Sequence, residues 1–228
     1  MQEKNRDFFD ENILIVDDHP LTVEVHKEII ANTLVKKNNY YTATTAKNAF
    51  TILQELYKKK ETLKMCFLDI NLPEYPEENI KSGEDLALLT RKLFPNCKII
   101  IISMHSEPLW VNRLIKAINP EGFISKSDMD AKLLSDVCNK IEKGFFYYSN
   151  AIIKSNKVII QQNVNWDEHD TKILQLIADG VKTAHLPKVI PLSLSAIEKR
   201  KSNIKRQLIF NTGSDKDLID KAKSMGLL

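Results

Sequence analysis

Short apolar runs that end on polar residues recur through the first two thirds of this chain, and they restrict the folds available to it. The runs, each with the polar residues that follow it, are 13–16 before Asp17 and Asp18, 65–68 before Asp69, 99–102 before Ser103, and 123–124 before Ser125 and Lys126. In an open α/β sheet, ligands bind at the edge where the parallel strands end. We therefore expect an acid pair, a single acid, a hydroxyl and an amine to meet at one site.

Amphipathic stretches separate these runs, and a fifth strand-like run lies at 40–43. The predicted helical stretches are 20–36, 46–60, 83–94, 108–118 and 129–142. Alternation of this kind is typical of βαβ units with right-handed crossovers. The predicted fold class is α/β, with a flavodoxin-like, doubly wound, five-stranded parallel sheet over residues 10–145.

The remainder of the chain has a different pattern. We interpret residues 146–165 as a linker, and residues 166–228 as a small all-α domain. Its predicted helices are 167–179, 183–189, 193–208 and 215–225. A helix, a short helix and then a basic helix is the layout of a helix-turn-helix.

The charge distribution and the cysteine content indicate which cellular compartment and which partners to expect. The net charge is +3, and all of the excess lies in residues 166–228, which carry 11 Lys+Arg against 8 Asp+Glu. That asymmetry favours contact with nucleic acid. The three cysteines have no metal-like spacing, and no apolar run approaches the roughly 18 residues of a membrane span. With a charged N-terminus unlike a signal peptide, we expect a cytoplasmic protein that does not contact membranes.

The acidic strand ends predict aspartyl phosphate chemistry. A carboxylate attacks a phosphoryl donor only when charge repulsion is cancelled, and oxygen ligands at strand ends suit Mg²⁺. The predicted metal ligands are Asp17, Asp18, Asp69 and the backbone carbonyl of Asn71. Lys126 would pair with one phosphate oxygen, and the Ser103 hydroxyl would donate to another.

These residues resemble the receiver domain of bacterial two-component response regulators in type, order and strand context. The resemblance implies that Asp69 accepts phosphate from a histidine kinase, with Lys126 and Ser103 as the other catalytic groups. It also implies that Ser103 and Phe123 are switch residues, and that Asn71 and His105 modulate the lifetime of the phosphate. The only expected enzymatic chemistry is assistance to the protein's own phosphorylation and dephosphorylation.

One segment departs from the receiver pattern. Residues 74–82, with three glutamates, separate Pro73 from Gly83, whereas the family usually has a glycine a few residues after the proline. The longer loop either alters kinase docking, partner choice or phosphate lifetime, or is a surface insertion without consequence, since long surface loops cost little free energy.

The basic helix 193–208 predicts contact with double-stranded DNA. Five Lys or Arg residues lie between Lys199 and Arg206 and would bind phosphates, while polar neighbours would reach base edges in the major groove. The predicted DNA-binding residues are Ser195, Lys199, Arg200, Ser202, Asn203 and Arg206. Residues 166–228 are similar to the DNA-binding domain of NarL/FixJ (LuxR-type) regulators, which implies transcriptional control and a homodimer in the active state.

Two departures leave other functions open. Pro187 lies inside the second predicted helix, and Glu198 stands where the family usually has lysine. One alternative is a phosphorylation-controlled regulator whose helical domain binds a protein instead of DNA. A haloacid dehalogenase-type enzyme is a weaker alternative, because that class needs an Asp-x-Asp after its first strand and this chain has Asp17-Asp18.

Overall fold

The computed structural model describes residues 11–34, 37–163, 167–208, 213–224 and 227–228, without the side chains of 158–163 and 224. The described chain divides into two compact units. The first contains residues 11–106 and 113–149, and the second contains 107–112 and the described residues from 150 onward.

A parallel sheet forms the centre of the first unit. Its strands are β1 (Glu11–Val16), β2 (Asn38–Ala43), β3 (Leu63–Asp69), β4 (Lys98–Ser103), β5 (Gly122–Ser125) and β6 (Tyr147–Tyr148). They lie in the order β2-β1-β3-β4-β5-β6, and every neighbouring pair is parallel. The predicted doubly wound α/β fold is confirmed.

Helices lie between consecutive strands, as the sequence predicts. They are α1 (Pro20–Thr33), α2 (Ala46–Lys58), α3 (Gly83–Leu93), α4 (Pro108–Ile118) and α5 (Ala131–Glu142). Local chemistry sets several of their starts: Thr45, Ser82 and Asp130 each accept a backbone N–H of the helix that follows, which satisfies a donor with no partner inside the helix. The helices α1 and α5 pack together, as do α2 and α3, and the central strands β1, β3 and β4 are buried except for half-buried Glu11, Lys64 and Lys98.

The sheet has a sixth strand, which the sequence analysis placed in a linker. Tyr147 N donates to Glu121 O and Ser149 N donates to Phe123 O, each at 2.9 Å. A further helix, α6 (Asn150–Asn163), follows directly. The prediction of a five-stranded sheet is therefore wrong by one strand, because β6 is only two residues long and its pairing with β5 is a tertiary contact.

The second unit is helical. Besides α6 it contains α7 (Glu168–Ala178), a 3₁₀ helix (Thr183–Lys188), α8 (Leu194–Leu208) and α9 (Asp215–Ser224). Its core contains Ile173, Leu186, Ile197 and Ile204, which are all buried. Pro187 lies inside the 3₁₀ helix; a proline has no N–H to donate and disfavours a longer α-helix there. Trp166, where this predicted domain begins, and Met225, where its last predicted helix ends, lie outside the described residues.

No helix in the described ranges is both long enough and apolar enough to cross a membrane.

Candidate functional site

The register of the sheet brings the predicted site residues to one edge. Val16 pairs with Leu68, Asp69 pairs with Ile102, and Ser103 pairs with Ser125. The residues that end these strands therefore lie side by side, as predicted. Asp17, Asp69 and Ser103 are buried, and Asp18 is half-buried.

Lys126 joins the two most deeply buried acids. Its Nζ donates to Asp69 Oδ2 at 2.6 Å and lies 2.9 Å from Asp17 Oδ2. Burial by itself would lower the pKa of Lys126, but the two carboxylates outweigh it and raise the pKa above its ordinary value. The amine therefore stays protonated at neutral pH, and a cation is held beside the acid that would carry a phosphoryl group.

Backbone contacts fix the Asp69 carboxylate and the chain that carries it. Asn71 N donates to Asp69 Oδ1 at 2.9 Å, and Gly83 N donates to Ile70 O at 3.0 Å. The first residue of α3 approaches so closely that a Cβ on Gly83 would lie 2.0 Å from the Asp69 backbone oxygen. This role of Gly83 was not predicted from the sequence; the start of a predicted helix beside the acid was the available signal.

The donor set suits a divalent cation. The cluster has three carboxylates but one lysine, which contacts Asp17 and Asp69, so acidic groups outnumber basic ones there. Asp17 Oδ2 and Asp18 Oδ1 are buried oxygens that accept no hydrogen bond from the described residues, although each lies near a nitrogen, Asp18 Oδ1 being 2.7 Å from His19 Nδ1. Oxygen donors of this kind are those that Mg²⁺ prefers, so Asp17, Asp18 and Asp69 fit the predicted role.

His19 lies beside this cluster, at its rim. Its ring nitrogen is 3.1 Å from Asp17 Oδ1, and the Asp17, Asp18 and His19 ligand atoms all lie within 4.8 Å of one another. The side chain is 70% exposed, so it stands at the rim, where water competes for its hydrogen bonds. The adjacency of the histidine to the acid pair was the signal in the sequence.

The predicted switch residues are both fully buried. Ser103 Oγ accepts a hydrogen bond from His105 N at 3.0 Å, so the hydroxyl is tied to the loop that follows β4. The Phe123 ring meets the Tyr148 ring edge-on, with 6.5 Å between centroids. The predicted modulators Asn71 and His105 are exposed residues whose backbones contact site groups.

The long loop 74–82 is an organised turn. Tyr75 and Ile80 exchange two backbone hydrogen bonds, of 2.7 and 3.1 Å, and Asn79 adopts a left-handed conformation with φ of 56°. The Tyr75 ring packs edge-on against Phe50 of α2, at 6.0 Å between centroids. The three glutamates of the loop are exposed.

Comparison with known families matches residues 13–137 to the response regulator receiver domain. That segment is more than half of the chain and contains every predicted phosphorylation and switch residue. This protein is a response regulator. The match decides against the haloacid dehalogenase alternative.

Relatives align with nearly the whole regulator. The transcriptional regulatory protein DegU of Brevibacillus brevis is 21% identical over 221 residues, which cover 87% of this chain and 88% of DegU. A structure of Salmonella typhimurium RcsB matches with a TM-score of 0.54 and 17% identity, covering 94% of this chain and 98% of that one. RcsB of Salmonella enterica serovar Typhimurium, bound to a promoter in the presence of phosphomimetic BeF3⁻, matches with a TM-score of 0.55 and 16% identity, with the same coverage. These likenesses extend the shared fold into the helical unit.

The exposed face of α8 in the regulator carries four of the six predicted DNA-binding residues. Ser195, Lys199, Ser202 and Arg206 are exposed on it, together with Glu198. Asn203 is half-buried and accepts a hydrogen bond from Arg206. We call the five exposed residues the outer face of α8.

The other basic residues of α8 are engaged inside the helical unit. Arg200 bridges Asp167 and Asp170, at 2.9 and 3.0 Å, where these acids form the capping box of α7. Asp215 of α9 lies 2.5 Å from Lys201 and 2.8 Å from Lys205. Three of the five basic residues expected to bind phosphates thus hold α8 against its neighbours, and Lys199 and Arg206 remain exposed.

Proposed function

We propose that phosphorylation of Asp69 by a histidine kinase controls DNA binding by α8, and thereby transcription. The observation that carries the proposal is the Lys126 bridge between Asp17 and Asp69 at the strand ends, in a chain whose residues 13–137 match the receiver family. Formation and hydrolysis of its own aspartyl phosphate would be the only covalent chemistry of the protein.

The phosphoryl transfer follows from the arrangement of the site. A carboxylate oxygen of Asp69 forms a bond to phosphorus while the P–N bond of the kinase phosphohistidine breaks, leaving the electron pair on the imidazole nitrogen. Bound Mg²⁺ would neutralise charge on the phosphoryl oxygens, with Asp17, Asp18, Asp69 and the Asn71 carbonyl as its proposed ligands. Lys126 would then exchange its contact with Asp69 for one with a phosphate oxygen, and Ser103 would donate to another.

The DNA surface would be the outer face of α8. Lys199 and Arg206 would bind phosphates, and Ser195 and Ser202 would face the bases. Arg200 would support the surface indirectly, by holding α8 against the start of α7. The structure of RcsB on a promoter in the presence of a phosphomimetic supports both the DNA target and the link to phosphorylation.

Two further properties follow from this function. A two-fold symmetric DNA site would be bound by a homodimer of the active regulator. We assign the protein to the cytoplasm, since its three cysteines are free and buried and since both a kinase donor and DNA are intracellular.

The test is fluorescence anisotropy of labelled, randomised duplex DNA with the full chain. Binding is compared with and without acetyl phosphate and Mg²⁺, in the wild type and in Asp69→Ala. We expect tighter, salt-sensitive binding that needs both the phosphodonor and Asp69. Binding that ignores phosphorylation would contradict the coupling, although DNA binding itself would stand.

Matched variants separate direct DNA contacts from internal support. Lys199→Ala and Arg206→Ala should each reduce the slope of log affinity against log salt by about one, with little change in stability. Arg200→Ala should lower stability, because it leaves the buried Asp170 carboxylate without its partner. An unchanged salt slope in both Lys199→Ala and Arg206→Ala would remove the outer face of α8 from the DNA interface.

A protein partner is the second candidate for the helical unit. The observation that favours it is the charge of the outer face, where two basic residues stand beside exposed Glu198. Absence of DNA binding in every state, with normal phosphorylation of Asp69, would support this alternative over the first.

A further inference from the structure

Ser149 contacts the strand β5, which ends directly before Lys126, and it lies outside the segment that matches the receiver family. Its Oγ accepts a hydrogen bond from Ser125 N at 3.0 Å, and its own N–H donates to Phe123 O at 2.9 Å. The residue is 1% exposed, so water does not compete for these bonds. The family match ends at residue 137.

The hydroxyl continues the pairing of β5 and β6 beyond the last backbone pair, in which Phe123 lies opposite Tyr148. Ser149 is also the last residue before α6, where the chain leaves the sheet. At the residue where the chain turns away from the sheet, Ser149 Oγ thus accepts the hydrogen bond from the backbone of β5. Without it, the N–H of Ser125, a residue 1% exposed, would lose its acceptor, which is costly for a buried donor.

The hydrogen bond from Ser125 N to Ser149 Oγ lies one peptide unit away from the lysine of the site. Ser125 directly precedes Lys126, whose amine lies 2.6 Å from Asp69. Phe123, the predicted switch residue, is held on the same strand by the Ser149 N–H and by the edge of the Tyr148 ring. Ser149 therefore contacts both the switch aromatic Phe123 and Ser125, the residue directly before the lysine.

We propose that Ser149 is a positioning residue for the phosphorylation site: its hydroxyl fixes the end of β5 and thereby directs the Lys126 amine to Asp69. The inference rests on the proposed role of Lys126 in phosphoryl transfer. Because catalysis of this transfer depends mainly on positioning and charge, a small displacement of the amine slows the reaction.

The experiment measures the rate of Asp69 phosphorylation by acetyl phosphate and Mg²⁺ in the full chain, followed by intact mass spectrometry. Ser149→Ala should be phosphorylated about threefold to tenfold more slowly than the wild type. Ser149→Thr keeps a hydroxyl and should restore most of the rate. The concentration of Mg²⁺ at half-maximal rate should be unchanged, since Ser149 contacts none of the proposed ligands.

A destabilised control separates positioning from a loss of folded protein. Tyr148→Phe removes the hydroxyl that donates to Pro120 O at 3.1 Å but keeps the ring and the Ser149 bonds, so it should lower the melting temperature and leave the rate unchanged. The inference would be overturned if Ser149→Ala were phosphorylated at the wild-type rate. It would also be overturned if Tyr148→Phe lost as much of the phosphorylation rate as Ser149→Ala. Failure of the wild type itself to be phosphorylated would instead contradict the proposed function.

Discussion

Replacing Gly83 with alanine tests how α3 is joined to the phosphorylation site. The new Cβ would lie 2.0 Å from the Asp69 backbone oxygen and 2.8 Å from Ile70 Cα, whereas ordinary contact begins at 3.4 Å. Both neighbours are backbone atoms, so no side-chain rotation relieves the overlap, and the helix start and the strand end must separate. Overpacking of this kind costs about 2–3 kcal/mol. At roughly 3 °C per kcal/mol, the melting temperature of the first unit should fall by about 5–10 °C.

The rate of phosphorylation should change together with stability, because the displaced segment carries Asp69, the proposed phosphate acceptor. We expect Gly83→Ala to be phosphorylated by acetyl phosphate at least about tenfold more slowly than the wild type. Circular dichroism melting and intact mass spectrometry measure the two effects.

The matched control is Gly122→Ala at the start of β5. Its Cβ would meet Ile141 Cδ1 at 2.8 Å and Ile100 Cγ2 at 2.9 Å, which are side-chain atoms, not backbone atoms. It should cost about 1 kcal/mol and leave the phosphorylation rate unchanged. Wild-type melting and a wild-type rate in Gly83→Ala would refute the close approach of α3 to Asp69.

Three further changes have defined outcomes. Lys126→Gln removes the cation beside Asp69 and should slow phosphorylation by acetyl phosphate about tenfold to a hundredfold, measured by mass spectrometry; a wild-type rate would contradict its role. Tyr148→Phe leaves the Pro120 carbonyl without its donor and should reduce the free energy of unfolding by about 1 kcal/mol in urea titrations; unchanged stability would contradict that contact. Burial would raise the pKa of Asp215, but its two lysine partners outweigh this and hold it below 3.8. The ion pairs of Asp215 therefore contribute to the free energy of unfolding above that pH, and this contribution is lost as the pH falls through the lowered pKa. Asp215→Asn should accordingly cost about 0.5 kcal/mol at neutral pH and nothing in strong acid, and an equal cost at both pH values would refute the ionic origin.

The phosphorylation site was accessible to sequence reasoning because each of its residues lies at the end of a strand or just after it. The side-chain period of a strand and the shared edge of a parallel sheet bring Asp17, Asp69 and Lys126 together once the strands are recognised. Helix starts also depend on neighbouring residues, as at Ser82, whose hydroxyl caps the helix that follows it. The match of residues 13–137 to the receiver family confirms the identity that this pattern predicted.

The charge of α8 illustrates the limit of such reasoning. Its composition predicted a helix with five basic residues directed at DNA. Arg200 instead pairs with an acid 30 positions away in the chain, and Lys201 pairs with one 14 positions away. Pairing at that separation depends on how α7, α8 and α9 pack, which no local pattern encodes.

The sequence by itself determined the parallel α/β fold, the acidic strand ends and the helical unit that follows, because these depend on residue periodicity and on neighbours within a few positions. Tertiary structure alone decided the sixth strand, the contact of Gly83 with the Asp69 backbone and the hydrogen bond from Ser125 to Ser149. Each of these joins segments more than ten residues apart, and each is fixed by close packing around a buried backbone group.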